Sequence, residues 1–166
     1  LALDAMRRGQ LDREGAVLLI VGEGPALESL RRHASRLGIE SSVRFTGKVD
    51  HHRIADYVRL FDIALVTAIN PYASPLKLFE YLAVGAASVV VDQPNLREIV
   101  DASSAEFFDA GNVERLTQIL SELVRDPSHR RSLGEKGQAL IKARDFTWDG
   151  NVKRIVAALG DCGAVR

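Results

Sequence analysis

The sequence is poor in the features that mark several classes of protein. Its 166 residues contain one cysteine, Cys162, which excludes an internal disulfide framework and favours a reducing compartment, the cytoplasm. The longest strongly apolar run, residues 82–91, is too short to cross a bilayer. Lys+Arg and Asp+Glu both number 22, so the formal net charge is zero and nothing favours a nucleic-acid partner.

Motifs for metals and dinucleotides are missing as well. No Asp-x-Asp pair is present, and the neighbours His51 and His52 have no third ligand at a useful spacing, so we predict no metal site. Gly22 and Gly24 begin like a dinucleotide fingerprint, but its third glycine is replaced by Leu27, which argues against NAD or FAD.

What is present is an alternation of short apolar runs and amphipathic segments. This order predicts an α/β fold with a doubly wound, Rossmann-like parallel sheet. The continuous run 16–21 is typical of a strand buried on both faces. We expect one domain over residues 1–160 and a disordered tail over 161–166. Because Leu1 opens inside a helical pattern without a cap, we expect the domain to be truncated at its N-terminus. The further strands are predicted at 43–46, 63–66, 88–91 and 105–108.

Residues 74–85 read as one helix with both ends encoded in the sequence. Ser74 is a suitable N-cap, Pro75 suits the first helical position, and Gly85 suits a left-handed C-terminal residue. The spacing i, i+3, i+7 predicts a buried face made of Leu76, Phe79 and Ala83.

Lys77 is unusual at this position, because the first turn of a helix favours an acid. A bound phosphate beside the free amides would account for the lysine, and Glu80 one turn later would reach the same ligand. The alternative is a surface ion pair between Lys77 and Glu80. Ligands of such sheets bind at the carboxyl ends of the strands, so residues 22–25, 47–49 and 67–80 should share one rim.

Several motifs in one order resemble the C-terminal half of group 1 glycosyltransferases, which are retaining enzymes of the GT-B fold. The resemblance covers nearly the whole chain and rests on residues 21–25, 43–49, 61–65, 74–85, 97–100 and 146–148. It implies the donor-binding half of an enzyme that transfers a sugar from a nucleotide-diphosphate sugar, with no cofactor besides that donor.

The resemblance also implies roles for individual residues. Glu80 matches the second glutamate of an E-x7-E motif and would hold the ribose, while the backbone at Lys48 and Val49 would meet the base. Amides at the start of the helix would hold the diphosphate. The position of Lys77, rather than the resemblance, suggests that it adds part of the charge there, so Glu80 and Lys77 are the predicted catalytic residues. The full predicted donor site is Gly22, Gly24, Gly47, Lys48, Val49, Tyr72, Ser74, Pro75, Leu76, Lys77 and Glu80.

Two departures from the family pattern leave alternatives open. The family's basic residues that neutralise the phosphates usually lie upstream of Leu1, so we expect them to be missing from this sequence. Tyr72 stands where the first glutamate of E-x7-E is expected, close to the donor sugar. A nucleotide-sugar epimerase of the same fold, or an interaction domain that binds no nucleotide, therefore remains an alternative. We also expect the acceptor site, and any membrane association, to belong to an absent N-terminal domain. The chain alone should be inactive, with the helix after Trp148 packed partly on that domain.

Overall fold

The computed structural model describes residues 1–68, 70 and 72–163. These residues form five strands and eight α-helices that mostly alternate along the chain. The strands are β1 (Leu18–Ile20), β2 (Val43–Phe45), β3 (Ile63–Val66), β4 (Ala87–Val91) and β5 (Glu106–Phe108). The helices are α1 (Ala2–Arg8), α2 (Leu27–Leu37), α3 (Ile54–Val58), α4 (Leu76–Val84), α5 (Pro94–Arg97), α6 (Val113–Arg125), α7 (Pro127–Ala143) and α8 (Trp148–Gly163).

Every strand pair is parallel, which confirms the predicted α/β class. β1 pairs with β2 in the register Leu18 to Val43. β4 lies between β3 and β5, with Ile63 opposite Ala87 and Val89 opposite Glu106. The strands form two sheets, β1-β2 and β3-β4-β5. Within the described part of the chain, β1 and β3 are therefore each paired along one edge only.

How deeply each strand is buried depends on its position in its sheet. All five residues of β4 are buried, because strands cover both its edges and helices α4 and α7 pack against it. The prediction that the first strand is buried on both faces is wrong: Leu18, Leu19 and Ile20 are only half-buried. The physical reason is the unpaired edge of β1, which leaves the strand at a border of its sheet.

Helices α4 and α7 pack closely against each other near β4. A Cβ placed on Gly134 of α7 would lie 2.0 Å from the carbonyl oxygen of Gly85, which follows α4. Gln138 of α7 donates from Nε2 to the carbonyl of Ala83 at 3.0 Å. These contacts fix the C-terminal end of α4 against the body of the domain.

Two helices have side-chain caps at their starts. Asn112 accepts through Oδ1 from the Arg115 amide at 2.9 Å at the start of α6. Asp126 ends α6 and accepts from the amides of Ser128 and His129 at the start of α7. Polar caps of this kind satisfy amides that have no partner inside the helix.

The last helix, α8, shows a row of apolar side chains to solvent. Trp148 is 84% exposed, and four more large apolar residues of α8 are over half exposed: Val152, Ile155, Val156 and Leu159. The helix continues to Gly163, past Gly160 where the sequence predicts its end. The rest of the predicted tail, residues 164–166, lies outside the described residues.

Candidate functional site

Helix α4 begins later than its sequence predicts. Pro75 occupies the N-cap position and no side chain caps the helix, so the prediction that Ser74 is the capping residue is wrong. Instead the Ser74 carbonyl accepts from the Leu76 amide at 3.0 Å, and the Pro75 carbonyl accepts from the Leu78 amide at 2.8 Å. Backbone carbonyls therefore satisfy the amides of Leu76 and Leu78 without a capping side chain. The predicted C-terminal end of α4 is confirmed, since Gly85 has the left-handed conformation with φ 77°.

The buried face of α4 also differs from the prediction. Leu78 and Leu82 are fully buried, whereas Leu76 is 67% exposed. Ala83 is exposed and Phe79 is half-buried, with its ring edge-on to Phe146 at 5.2 Å. Nearly every position of this helix is apolar, so the spacing alone did not distinguish the two faces. The observed core face is set by the contact of α4 with α7 and β4.

The exposed face of α4 presents Lys77 and Glu80. Both side chains are exposed, and they stand at i, i+3. Among the described residues neither takes part in a hydrogen bond or an ion pair made by its side chain. The surface pair considered as the alternative is thus not formed. An ammonium and a carboxylate near an open helix start are both accessible to a ligand.

Two of the glycine loops meet directly at the carboxyl ends of β1 and β2. Gly22 and Gly47 form an isolated bridge, and the Gly22 amide donates to Thr46 Oγ1 at 3.1 Å. Both glycines have positive φ, 116° and 67°. A Cβ added at either of them, or at Gly24, would meet no atom within 4 Å. The backbone here borders open space, with Lys48 exposed and Val49 half-buried beside it.

The loop between β3 and α4 carries Tyr72, the departure from the motif. Tyr72 is 88% exposed, and Ser74 is exposed beside the buried Pro75. Ile69 and Pro71 lie outside the described residues. The predicted site residues on this loop and on α4 are thus adjacent, as are those on the β1 and β2 loops. No described hydrogen bond joins the first group to the second.

A residue outside the predicted set reaches this loop. Asn95 of α5 donates through Nδ2 to the carbonyl oxygens of Ala73 at 3.1 Å and Asn70 at 3.3 Å. The sequence places Asn95 only in a turn after β4. No spacing rule connects it to residues 22 and 25 positions away, so sequence reasoning had no signal for this contact.

Perturbed ionisable groups flank the loop and α4. Burial raises the pKa of the Tyr81 phenol above its ordinary value, and the charge of Glu80 acts in the same direction. Hydrogen bonds from Arg97 lower the pKa of Asp92, through contacts of 2.5 Å from Nε and 2.7 Å from a terminal nitrogen. Tyr81 therefore stays neutral and Asp92 stays ionised near neutral pH.

Within residues 1–68, 70 and 72–163, no group of three or more His, Cys, Asp or Glu side chains could hold a metal ion. In the same residues no helix is both long and apolar enough to cross a membrane.

Parallel strands with glycine loops at their carboxyl ends, followed by helices, are typical of a Rossmann-like α/β domain. A family model described as "Glycosyl transferases group 1" matches residues 1–140. The chain belongs to this family, and the family membership predicted from the motifs is confirmed.

Two relatives in mycobacteria are described as mannosyltransferases. The chain is 33% identical over 148 residues to a GDP-mannose-dependent alpha-(1-6)-phosphatidylinositol dimannoside mannosyltransferase of Mycobacterium tuberculosis, covering 87% of this chain and 36% of the relative. It is 28% identical over 155 residues to the corresponding monomannoside enzyme of the same species, covering 89% and 39%. The chain thus spans less than two fifths of the length of these curated relatives.

Several solved structures have the same fold. The C-terminal domain of a group 1 glycosyl transferase (LpcC) from Francisella tularensis superposes with a TM-score of 0.76 at 19% identity, covering 86% of this chain and 76% of that one. The HepE protein of Anabaena, in complex with UDP and glucose, gives a TM-score of 0.78 at 17% identity, covering 96% and 44%. Sucrose-phosphate synthase from Thermosynechococcus elongatus gives 0.78 at 18% identity, covering 99% and 43%.

Proposed function

We propose that this chain is the donor-binding half of a retaining glycosyltransferase that uses a nucleotide-diphosphate sugar. The observation that carries the proposal is the pair Lys77 and Glu80, exposed on α4 and unpartnered among the described residues. A charged side chain without a protein partner gains most from a ligand that brings complementary groups. The match to an isolated C-terminal domain of the same family supports the assignment to this half.

Each group of the site has a role in this proposal. The Glu80 carboxylate accepts hydrogen bonds from the two ribose hydroxyls. The Lys77 ammonium and the amides before α4 bind the diphosphate, and they stabilise its negative charge as the sugar departs. The backbone at Gly47, Lys48 and Val49 contacts the base. Gly22 and Gly24 let the donor approach the main chain, and Tyr72 lies near the transferred sugar.

We propose GDP-mannose as the first donor to test. The curated relatives described as GDP-mannose-dependent are 28% and 33% identical to this chain, whereas the structure with UDP and glucose is 17% identical. We place the reaction in the cytoplasm, which suits a chain with a single cysteine.

The test compares Glu80→Gln with the natural protein for GDP and for 2′-deoxy-GDP, using calorimetry. Glutamine keeps the size and the helix propensity of Glu80 but removes the charge. Hydrogen bonds to a charged group contribute about 1.5–3 kcal/mol, so GDP affinity should fall roughly tenfold or more. The natural protein should prefer GDP over the deoxy form, and the variant should lose most of that preference.

The four affinities form a double-mutant cycle in which the ligand hydroxyl is the second mutation. A coupling free energy near zero would mean that Glu80 does not touch the ribose. Glu135→Gln, on an exposed position of α7, is a matched control that should change neither affinity. If the natural protein shows no binding heat with GDP, UDP or their sugar derivatives, the chain is an interaction domain and the proposal fails.

A further inference from the structure

The loop between β3 and α4 is held by one side chain from a neighbouring element. Asn95 Nδ2 donates to Ala73 O and Asn70 O, which lie 3.1 Å and 3.3 Å away. Two carbonyl oxygens at one end of the carboxamide require the nitrogen there, so the hydrogen bonds fix which end of Asn95 faces the loop. The other end, Oδ1, is buried and has no partner within the described residues.

Asn95 stands on a firmly attached element. The next residue, Leu96, is fully buried in the core. Arg97 pairs with Asp92 and stacks over the ring of Phe107, with 4.3 Å from the guanidinium carbon to the ring centroid. Arg144 donates to the carbonyl of Glu98 at 2.7 Å. α5 is thus anchored on both sides of the position from which Asn95 reaches out.

The loop itself has few other attachments. Ala73 donates its amide to Asn70 O at 2.9 Å, which closes a turn inside the loop. Over residues 67, 68, 70 and 72–75, no side chain other than Asn95 makes a hydrogen bond to the loop. Among the described side-chain hydrogen bonds, those of this carboxamide alone join the loop to α5.

The hydrogen bond to Ala73 O also orients the next amide. A trans peptide is planar, and its C=O and N–H point to opposite sides. With the Ala73 carbonyl held toward Asn95, the Ser74 N–H points away from Asn95. This N–H donates to no acceptor among the described residues. Ser74 immediately precedes the helix start that we assign to the diphosphate.

We infer that Asn95 is a positioning residue for the donor site: it holds the Ala73–Ser74 peptide so that the Ser74 amide faces the diphosphate. This inference rests on the function proposed above. Asn95 itself touches no donor atom and acts through the peptide that it binds. Without its two hydrogen bonds, the peptide can rotate and present a carbonyl oxygen to the phosphate.

The test uses Asn95→Asp in the protein at its natural length. Aspartate has the same shape, but it places a carboxylate oxygen against two carbonyl oxygens and repels them. We expect GDP affinity to fall and the KM for the donor to rise, each about tenfold, which corresponds to the loss of one hydrogen bond to a charged group. The KM for the acceptor should stay unchanged, and the affinity for guanosine, which has no phosphate, should change much less than that for GDP.

Two further variants make the result decisive. Gln118→Glu makes the same change of a carboxamide into a carboxylate at an exposed position of α6, where the side chain has no described hydrogen bond. It should leave all four quantities unchanged. Asn95→Ala removes the hydrogen bonds without repulsion and serves if the aspartate variant does not fold; its GDP affinity should fall about threefold.

The contrary outcomes separate this inference from the proposed function. Unchanged GDP affinity in Asn95→Ala, or equal losses for GDP and guanosine, would overturn the positioning role while leaving donor binding intact. A natural protein that binds no nucleoside diphosphate would instead refute the proposed function, on which this inference depends.

Discussion

At the scale of single residues, Lys77 is the group whose charge should matter most. Lys77→Met keeps the length of the stem and removes the cation. If the ammonium faces phosphate, GDP affinity should fall about tenfold and become less sensitive to salt. The melting temperature should barely move, since Lys77 forms no described ion pair. Isothermal titration at several salt concentrations measures both effects.

Lys136→Met is the matched control for Lys77, because Lys136 is an exposed helix lysine with no described ion pair. It should leave GDP affinity and its salt dependence unchanged. A Lys77 variant with natural affinity but a lowered melting temperature would show that the lysine has a structural role.

The substitution Gly24→Ala tests whether the donor closely approaches the main chain at this position. Gly24 has no positive φ, and a Cβ there would meet nothing within 4 Å, so the folded protein has room for Gly24→Ala. Stability should be unchanged or rise by up to about 1 kcal/mol, because alanine restricts the unfolded chain. GDP-mannose affinity should fall on the order of tenfold if the added methyl group meets the ligand. Thermal melting and calorimetry give the two values, and natural affinity in a stable variant would remove Gly24 from the site.

At the scale of elements, the close packing of α4 on α7 is the most sensitive contact. In Gly134→Ala the new Cβ would lie 2.0 Å from the Gly85 carbonyl oxygen, a backbone atom that cannot rotate away. We expect a loss of about 1–3 kcal/mol or more in the free energy of unfolding, as in other overpacked cores. Because Gly85 ends α4, GDP affinity should also fall. Urea unfolding measures the first quantity.

Gly160→Ala is the helical control, since a Cβ there would meet no atom within 4 Å. The free energy of unfolding of this variant should rise by up to about 1 kcal/mol, because alanine has a higher helix propensity than glycine. Equal free energies of unfolding in the Gly134 variant and the natural protein would mean that α7 can move away from α4 without cost.

The helices and strands also show which structural features can be predicted from sequence patterns and which cannot. The bounds of β3, the left-handed Gly85 and the caps Asn112 and Asp126 were predictable because each depends on a few neighbouring residues. The face of α4 was not, because in a helix apolar almost throughout only the packing partners select the core side. The half-burial of β1 depends on which strands pair, and the contact of Asn95 depends on two distant loops meeting. Neither property is local.

At the scale of the whole molecule, we expect this chain alone to bind nucleotide but not to transfer sugar. A reaction between two substrates needs both held in one geometry and shielded from water, and a donor site on an open surface supplies neither condition. The exposed apolar row of α8 is expected to pack partly on the other half. Incubation of residues 1–166 with GDP-mannose and a range of acceptors checks this, and transfer of mannose to any acceptor would contradict it.

Among the described residues β1 and β3 each pair with a strand along one edge only, and this has a consequence for how the chain behaves in concentrated solution. A free strand edge offers hydrogen-bonding groups to any extended segment, including one from another copy. Proteins usually limit such contacts by mutual charge repulsion, but the formal net charge here is zero. Colloidal stability of this chain therefore depends on whatever covers those edges, and added charge beside β1 would be the simplest way to improve its solubility.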